Sequence, residues 1–367
     1  MRGVFKKFLH IFSCSNFWRT IFVAFVLCFV FFSPAVLFCE DNFKLNLNEF
    51  LNLESGNKIV LDLCHVETFE GGSASRAGFL KRQAEKFNKQ NNNFFVSVTT
   101  MNLDEFELNI NSGYSADLYS FGTGAGSYIK NKLQTLKKQS NIREDLQKNA
   151  TLSGKIYAYP YLLSGYAVIS YESLTAQDET LTAKLTLAKQ GKKRVGGTIF
   201  GTGVTNPAQA LCCNNIKLQA QDVTVDTTTY LAYSNFLKKT TKSLVGTARD
   251  VARIKNREQN GNISPCKYEF LSHYSDLVQY IGVSNNLDKA KSEVATNFAS
   301  FLLSDSAQKD IANYGLFSVT NLKIYESDYM SEFEKALSHP LKSVNAFVSK
   351  EEIKRNQSVA AKSLCGK

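Results

Sequence analysis

The sequence predicts an α/β protein in two lobes, joined by hinge crossings with a ligand cleft between them, behind an N-terminal export segment. Three observations carry that expectation. Strand and helix patterns alternate from residue 58 onward. Two aromatic-rich extended stretches, near 157–171 and 268–280, interrupt the alternation. The first 39 residues combine basic charge with an apolar run. At 367 residues, with 44% hydrophobic side chains and five prolines, the chain can bury a sizeable core, which excludes disordered and collagen-like polymers.

The export segment is read from its charge asymmetry. Arg2, Lys6, Lys7 and Arg19 are unopposed by any acid before residue 40. An apolar run from Thr20 to Phe32 follows, and Ser33-Pro34-Ala35 places small residues at the −3 and −1 positions of a cut after Ala35. The run extends to Phe38, long enough to remain as an uncleaved anchor. Lipidation at Cys39 is a third alternative, disfavoured by the bulky Phe38 before it. All three put the body outside the cytoplasm. Residues 1–39 are therefore assigned as signal or anchor and 40–56 as a tether. Lobe 1 is assigned to 57–160 with 284–330, lobe 2 to 161–283, and a C-terminal helical tail to 331–367. Beyond the export segment the chain carries 39 basic and 33 acidic residues, interleaved along its length. That distribution points away from a nucleic-acid partner, which favours Lys and Arg clustered on one element.

The elements follow in order. Lys58–Leu63 reads as a strand. The loop from Glu70 to Ser75 leads to a helix in which Phe79, Leu80, Ala84 and Phe87 recur at helical spacing. Phe94–Val98 is the next strand, Leu103–Ile110 a short helix, and Asp117–Phe121 a third strand, after which Gly122–Gly126 leads into another helix. Such alternation implies a parallel sheet with helices on its faces. Residues 157–171 are extended, and 181–194, 223–240 and 243–259 are helical. Amphipathic helices are expected at 287–303 and 305–313, then a polar tail over 340–367 with one short helix.

Candidate ligand contacts come from the loops that follow strands. Ser73 and Ser75 can cap the first helix, and Arg76 offers a bidentate donor to an anionic group. Gly122-Thr123-Gly124-Ala125-Gly126 offers backbone N–H groups and the Thr123 hydroxyl. Its third glycine falls one position early for a dinucleotide fingerprint, and no Gly-Lys-Ser/Thr follows. On one continuous strand Tyr157, Tyr159, Tyr161 and Tyr171 share a face opposite Tyr166. Tyr161 and Tyr166 are assigned to the ligand, because an aromatic face with a polar tip suits sugars and amides, and the others to the core. Arg249 and Asp250 are assigned to ligand contact or cleft closure, and Arg253 and Arg257 to a solvated helix face. Ser120 and Tyr274 complete the set. His65, His273 and His339 stand in no nucleophile or metal motif, and Cys64 and His65 point to opposite faces of a strand. Cys212 and Cys213 are read as small hydrophobes. No catalytic activity, metal or cofactor is expected.

Taken together, these segments resemble bacterial extracellular solute-binding proteins, the substrate-capture components of ABC importers in the group that includes the maltose-binding proteins. Glu70–Phe87 resembles that family's first binding loop and helix. Ser112-Gly113 with Ala116–Ser120 is similar to its next conserved segment, and Tyr159–Tyr166 to its crossing into the second lobe. Phe298–Gln308 is similar to its late helix, ending near Gly315–Val319. The likeness covers about residues 58–320 in scattered pieces that keep the family's order. It implies a two-lobed, periplasmic-binding-protein-like fold without catalysis. Such a protein captures a small solute, a sugar or sugar-phosphate, by closing its lobes, and delivers it to a membrane permease. Trp18, the only tryptophan, lies in the export segment, so a tryptophan-stacked sugar site is excluded. A surface sensor or adhesin on the same fold, and an exported hydrolase, are the alternatives.

Overall fold

Leu61, Leu63, Cys64 and Val66 are buried along β1 (Ile59–Glu67), which lies inside a five-stranded sheet in the computed structural model. Such a near-continuous apolar run suits a strand covered on both faces. The structure describes residues 58–69, 74–91, 93–171, 196–201, 204–216, 223–226, 229–326 and 328–364. The expected export segment and tether, the helix at 181–194 and Ser73 lie outside these residues.

β1 pairs in parallel with β2 (Phe94–Asn102) and β3 (Leu118–Phe121). α1 (Arg76–Gln90) buries Phe79, Leu80, Ala84 and Phe87, and α2 (Leu103–Asn111) follows β2 directly. Two later strands complete the sheet. β12 (Val278–Val283) runs antiparallel to β3, and β6 (Tyr159–Leu163) antiparallel to β12, giving the order β2-β1-β3-β12-β6. The sheet is thus mixed rather than wholly parallel, because its last two strands are the ends of the crossings.

The second sheet has the order β11-β7-β10-β8-β9. β7 (Tyr166–Tyr171) lies antiparallel to β11 (Cys266–Phe270) and to β10 (Thr241–Thr247). β8 (Gly196–Gly201) lies parallel to β10 and to β9 (Val223–Asp226). α4 (Pro207–Cys213), α5 (Thr229–Leu237) and α6 (Ala248–Gln259) join these strands, with Cys212 and Cys213 half-buried on α4. The remaining helices are α3 (Glu144–Gln147), α7 (Lys289–Phe301), α8 (Asp305–Asp310), α9 (Tyr329–Leu337) and α10 (Lys350–Leu364).

Several local expectations change. Residues 223–226 and 243–247 are strands where helix was expected, the latter within β10: Val-Thr-Val-Asp is β-branched, and Thr247 starts α6 rather than continuing it. After Gly122–Gly126 the chain forms two 3₁₀ turns, Gly126–Tyr128 and Lys130–Lys132, instead of an α-helix. Apart from Lys130 and Lys132, that segment is built from Gly, Ser, Tyr, Ile and Asn, all weaker helix formers. The tyrosine face count fails because Ser164-Gly165 separates two strands of different sheets. The polar tail is packed: Leu341, Ala346, Phe347, Ile353, Ala360 and Leu364 are buried.

The chain passes between the sheets at Ser164-Gly165 and returns through 271–277. The division expected at 160/161 falls inside β6, and that at 283/284 just after β12. The two crossings are stitched together: Ser164 N–H donates to Leu277 O at 2.8 Å, and the Ser275 hydroxyl donates to Ser164 O at 2.6 Å. A Cβ on Gly165 would lie 2.7 Å from the Phe333 ring and 2.8 Å from Leu337, so only glycine lets the crossing pass α9. α10 reaches both sides. Lys350 Nζ lies 2.7 Å from Asp104 on α2, and Gln357 donates to Thr205 O beside α4 at 2.5 Å. No helix among the described residues is long and apolar enough to cross a membrane.

Candidate functional site

The loops after parallel strands gather at the carboxyl edge of a sheet, where α/β folds place their ligands. Here that edge of the first sheet meets the second sheet, and two polar networks occupy the junction.

The first network starts from strand register. His65 on β1 and Ser120 on β3 are pairing partners, and the imidazole Nδ1 lies 2.8 Å from Ser120 Oγ. The Tyr161 hydroxyl is 2.7 Å from the same oxygen, to which Gln279 Nε2 donates at 3.0 Å. Gln279 Oε1 accepts from Arg76 Nη1, while Arg76 Nη2 donates to Phe69 O. The Arg76 guanidinium also stacks on the Phe69 ring, 4.0 Å from its centroid. Burial pushes the Arg76 pKa down to about 10. Burial first, and the Arg76 charge second, hold His65 well below the usual histidine range, so its ring is neutral. Phe69 belongs to the buried cluster of the second sheet, beside Tyr166, Val168 and Leu277. The segment after β1 thus inserts a lobe 1 aromatic ring into lobe 2.

The second network centres on Asp276 in the return crossing. One carboxylate oxygen accepts from the Tyr166 hydroxyl at 2.6 Å, and the other from Asn206 N–H, at the cap of α4, at 2.8 Å. Its backbone carbonyl accepts from the Thr123 hydroxyl at 2.8 Å. Burial pushes the Asp276 pKa up to about 6 against these donors. Tyr274 is buried nearby.

Among the expected site residues, Arg76, Ser120 and Tyr161 therefore come together, as do Thr123, Tyr166 and Tyr274. Ser75 is exposed and caps α1, accepting from Gly78 N–H at 3.4 Å. Asp250 is buried and accepts from Thr247 N–H at 2.8 Å, closing the first turn of α6. Arg249 is half-buried at the start of α6, where burial first and the neighbouring Arg253 charge second push its pKa down. Gln279, Asp276 and Asn206 were not singled out in the sequence, and His65 was weighed there only as a nucleophile partner or metal ligand. For the first two a signal existed: both are polar residues within a buried aromatic and aliphatic run.

Two cavities are present among the described residues, and the first shares Asn206 with the Asp276 network. One of about 460 Å³ is lined from both sides of the junction, by Asn149, Lys342 and Ser343 and by Asn206, Gln209 and Tyr274. The other, of about 700 Å³, lies between α5 and α6 and is lined by Tyr230, Tyr233, Arg249, Arg253, Arg257 and Asn262. The Ser120–His65 pair is fully buried, so it serves the packing of the first sheet rather than presenting a nucleophile. No group of three or more His, Cys, Asp or Glu among the described residues could hold a metal ion.

No protein-family model matches the chain. No curated protein sequence matches it either. Solved structures do match in fold. The GacH receptor of Streptomyces glaucescens, solved unliganded and with acarbose, aligns over 84% of this chain and 94% of its own, at 12% identity and a TM-score of 0.59. The Listeria monocytogenes ABC substrate-binding protein Lmo0181, in complex with cycloalternan, aligns over 84% and 99%, at 16% identity and a TM-score of 0.53. A chitin oligosaccharide binding protein aligns over 84% and 95%, at 12% identity and a TM-score of 0.59. The chain has the two-lobed α/β fold of these solute-binding proteins.

Proposed function

We propose that this protein is an exported solute-binding protein that captures an oligosaccharide-sized solute between its lobes and delivers it to the permease of an ABC importer. The observation that carries the reading is the junction itself. Two sheets are joined by paired crossings held at Asp276, with a cavity of about 460 Å³ lined by residues from both sides. A ligand held by groups from two lobes stabilises whichever arrangement brings those groups together, which is how capture becomes a signal a permease can read. In this reading lobe 1 comprises 58–163 with 278–326, lobe 2 comprises 166–270, and α10 spans the two. The basic and apolar N-terminus exports the body and leaves it near the membrane, where the permease resides.

The solved relatives bind acarbose, cycloalternan and chitin oligosaccharides, and a saccharide is the substrate class proposed here. Without tryptophan in the body, tyrosine rings supply the apolar faces and Asn206, Gln209 and Asn149 the hydrogen bonds. Isothermal titration against neutral and acidic oligosaccharides tests the reading. Saturable binding of one molecule per chain, weakened at least tenfold by Asn206→Ala, is expected. Absence of binding across the whole panel by a folded protein would overturn it.

A further inference from the structure

The face of α6 that lines the cavity of about 700 Å³ is chemically one-sided. Arg249, Arg253 and Arg257 succeed one another at four-residue intervals, about 6 Å apart along the helix at 1.5 Å rise per residue. Like charges at that spacing oppose helix formation, so the arrangement needs a counterpart. The neighbouring face of the same helix has one: Lys255 lies 3.1 Å from Glu258. Arg253 and Arg257 form no ion pair among the described residues, and no acidic side chain among those residues lines the cavity. Asp250, the acid within the first turn, is turned to Thr247 N–H and acts on Arg253 and Arg249 only through space, without an ion pair.

The groove also carries aromatic surface. Tyr230 is 68% exposed and presents a ring with a polar tip at the groove. Tyr233 orients the two outer arginines: its hydroxyl is 3.1 Å from Arg257 Nε, and its ring lies under Arg253 at 5.7 Å. Holding Arg257 through Nε leaves its terminal nitrogens outside that bond, and these are the pair that grips a carboxylate in bidentate fashion. At its other end the groove begins at Arg249, in the first turn of α6.

We propose that this groove binds an acidic oligosaccharide, a chain of sugars bearing carboxylates at regular intervals, with two of its charges on Arg253 and Arg257. The proposal rests on the solute-binding reading and deepens it by giving the solute a charge. Guanidiniums at regular spacing match a regularly charged chain better than a single anion, and the exposed Tyr230 ring lining the same groove suits a sugar face better than a bare inorganic ion.

Titration of the protein with tetragalacturonate and with maltotetraose, at low and at moderate salt, tests this. Tetragalacturonate is expected to bind at least tenfold more tightly than maltotetraose, with affinity falling as salt rises. Arg253→Gln with Arg257→Gln should reduce tetragalacturonate affinity at least tenfold while leaving the melting temperature within a few degrees. The double lysine variant, which keeps charge but loses the fork, should fall between. Binding of maltotetraose alone would overturn this inference and leave the solute-binding reading standing. Tetragalacturonate binding that ignores the double variant would overturn the groove as its site. Equal binding of a single-stranded oligonucleotide would overturn the saccharide class, and binding of neither sugar would overturn the inference as well.

Discussion

Asp276 and His65 are two buried titratable groups with opposite consequences for pH. The carboxyl of Asp276 titrates near 6 in the folded chain, against about 3.9 when unfolded. Between those values the folded state holds a proton that the unfolded chain has released. Its contribution to stability is therefore present below about pH 4 and lost as pH rises to about 6. His65 acts in the opposite sense. Its lowered pKa keeps it neutral, so stability is lost as pH falls through the unfolded value of about 6.5. Tyr166 solvates the ionised Asp276 with a 2.6 Å hydrogen bond. Tyr166→Phe should cost about 2 kcal/mol at pH 7.5, where a charge loses its donor, and about 1 kcal/mol at pH 5. Urea unfolding at both pH values measures this; equal losses would mean that Asp276 is not ionised at pH 7.5. Arg76→Met leaves Gln279 Oε1 and Phe69 O without their donor and should cost about 3 kcal/mol. If Arg76 served the ligand alone, stability would be unchanged and only affinity would fall. Little of this pairing is legible along the chain. Arg76 and Gln279 are 203 residues apart, and neither position carries a local signal that names its partner. Arg76 was found because it follows a strand and a loop; its burial is decided by the later return of β12.

At the scale of elements, local patterns were readable wherever one face is apolar and one polar. α1 shows this, with Phe79, Leu80, Ala84 and Phe87 buried at helical spacing. β10 and β9 were not, because short β-branched segments beside helices carry no length signal. The start of α6 was nonetheless encoded: Thr247 followed three residues later by Asp250 is a capping-box spacing, and Asp250 closes it onto Thr247 N–H. α10 shows the limit of reading composition alone. Its polar sequence suggests a solvated tail, yet Ile353, Ala360 and Leu364 are buried and its ends reach both sides of the junction. Truncation before Lys350 removes these side chains and uncovers the Leu211 face of α4. Burial of about 1.5–3 kcal/mol per large apolar side chain makes a loss of several kcal/mol the expected result. Calorimetry of the truncated chain checks it; an unchanged melting temperature would show α10 to be dispensable to the fold.

For the whole molecule, the two-lobed α/β class was legible because alternation and crossings are properties of order rather than of single residues. The order β2-β1-β3-β12-β6 explains why: the last strands to join lobe 1 are the chain's exit to lobe 2 and its return. The same topology places Thr123, Asn206 and Tyr166 on Asp276, so under the proposed function a ligand at the junction would act on both lobes through one hub. The most direct test is amide hydrogen exchange with and without the tightest saccharide found by titration. Slowed exchange is expected at 122–126, 204–209, 274–279 and 341–344, with the outer strand β2 unaffected. Protection confined to surfaces away from the junction, or no protection under saturating saccharide, would contradict capture between the lobes.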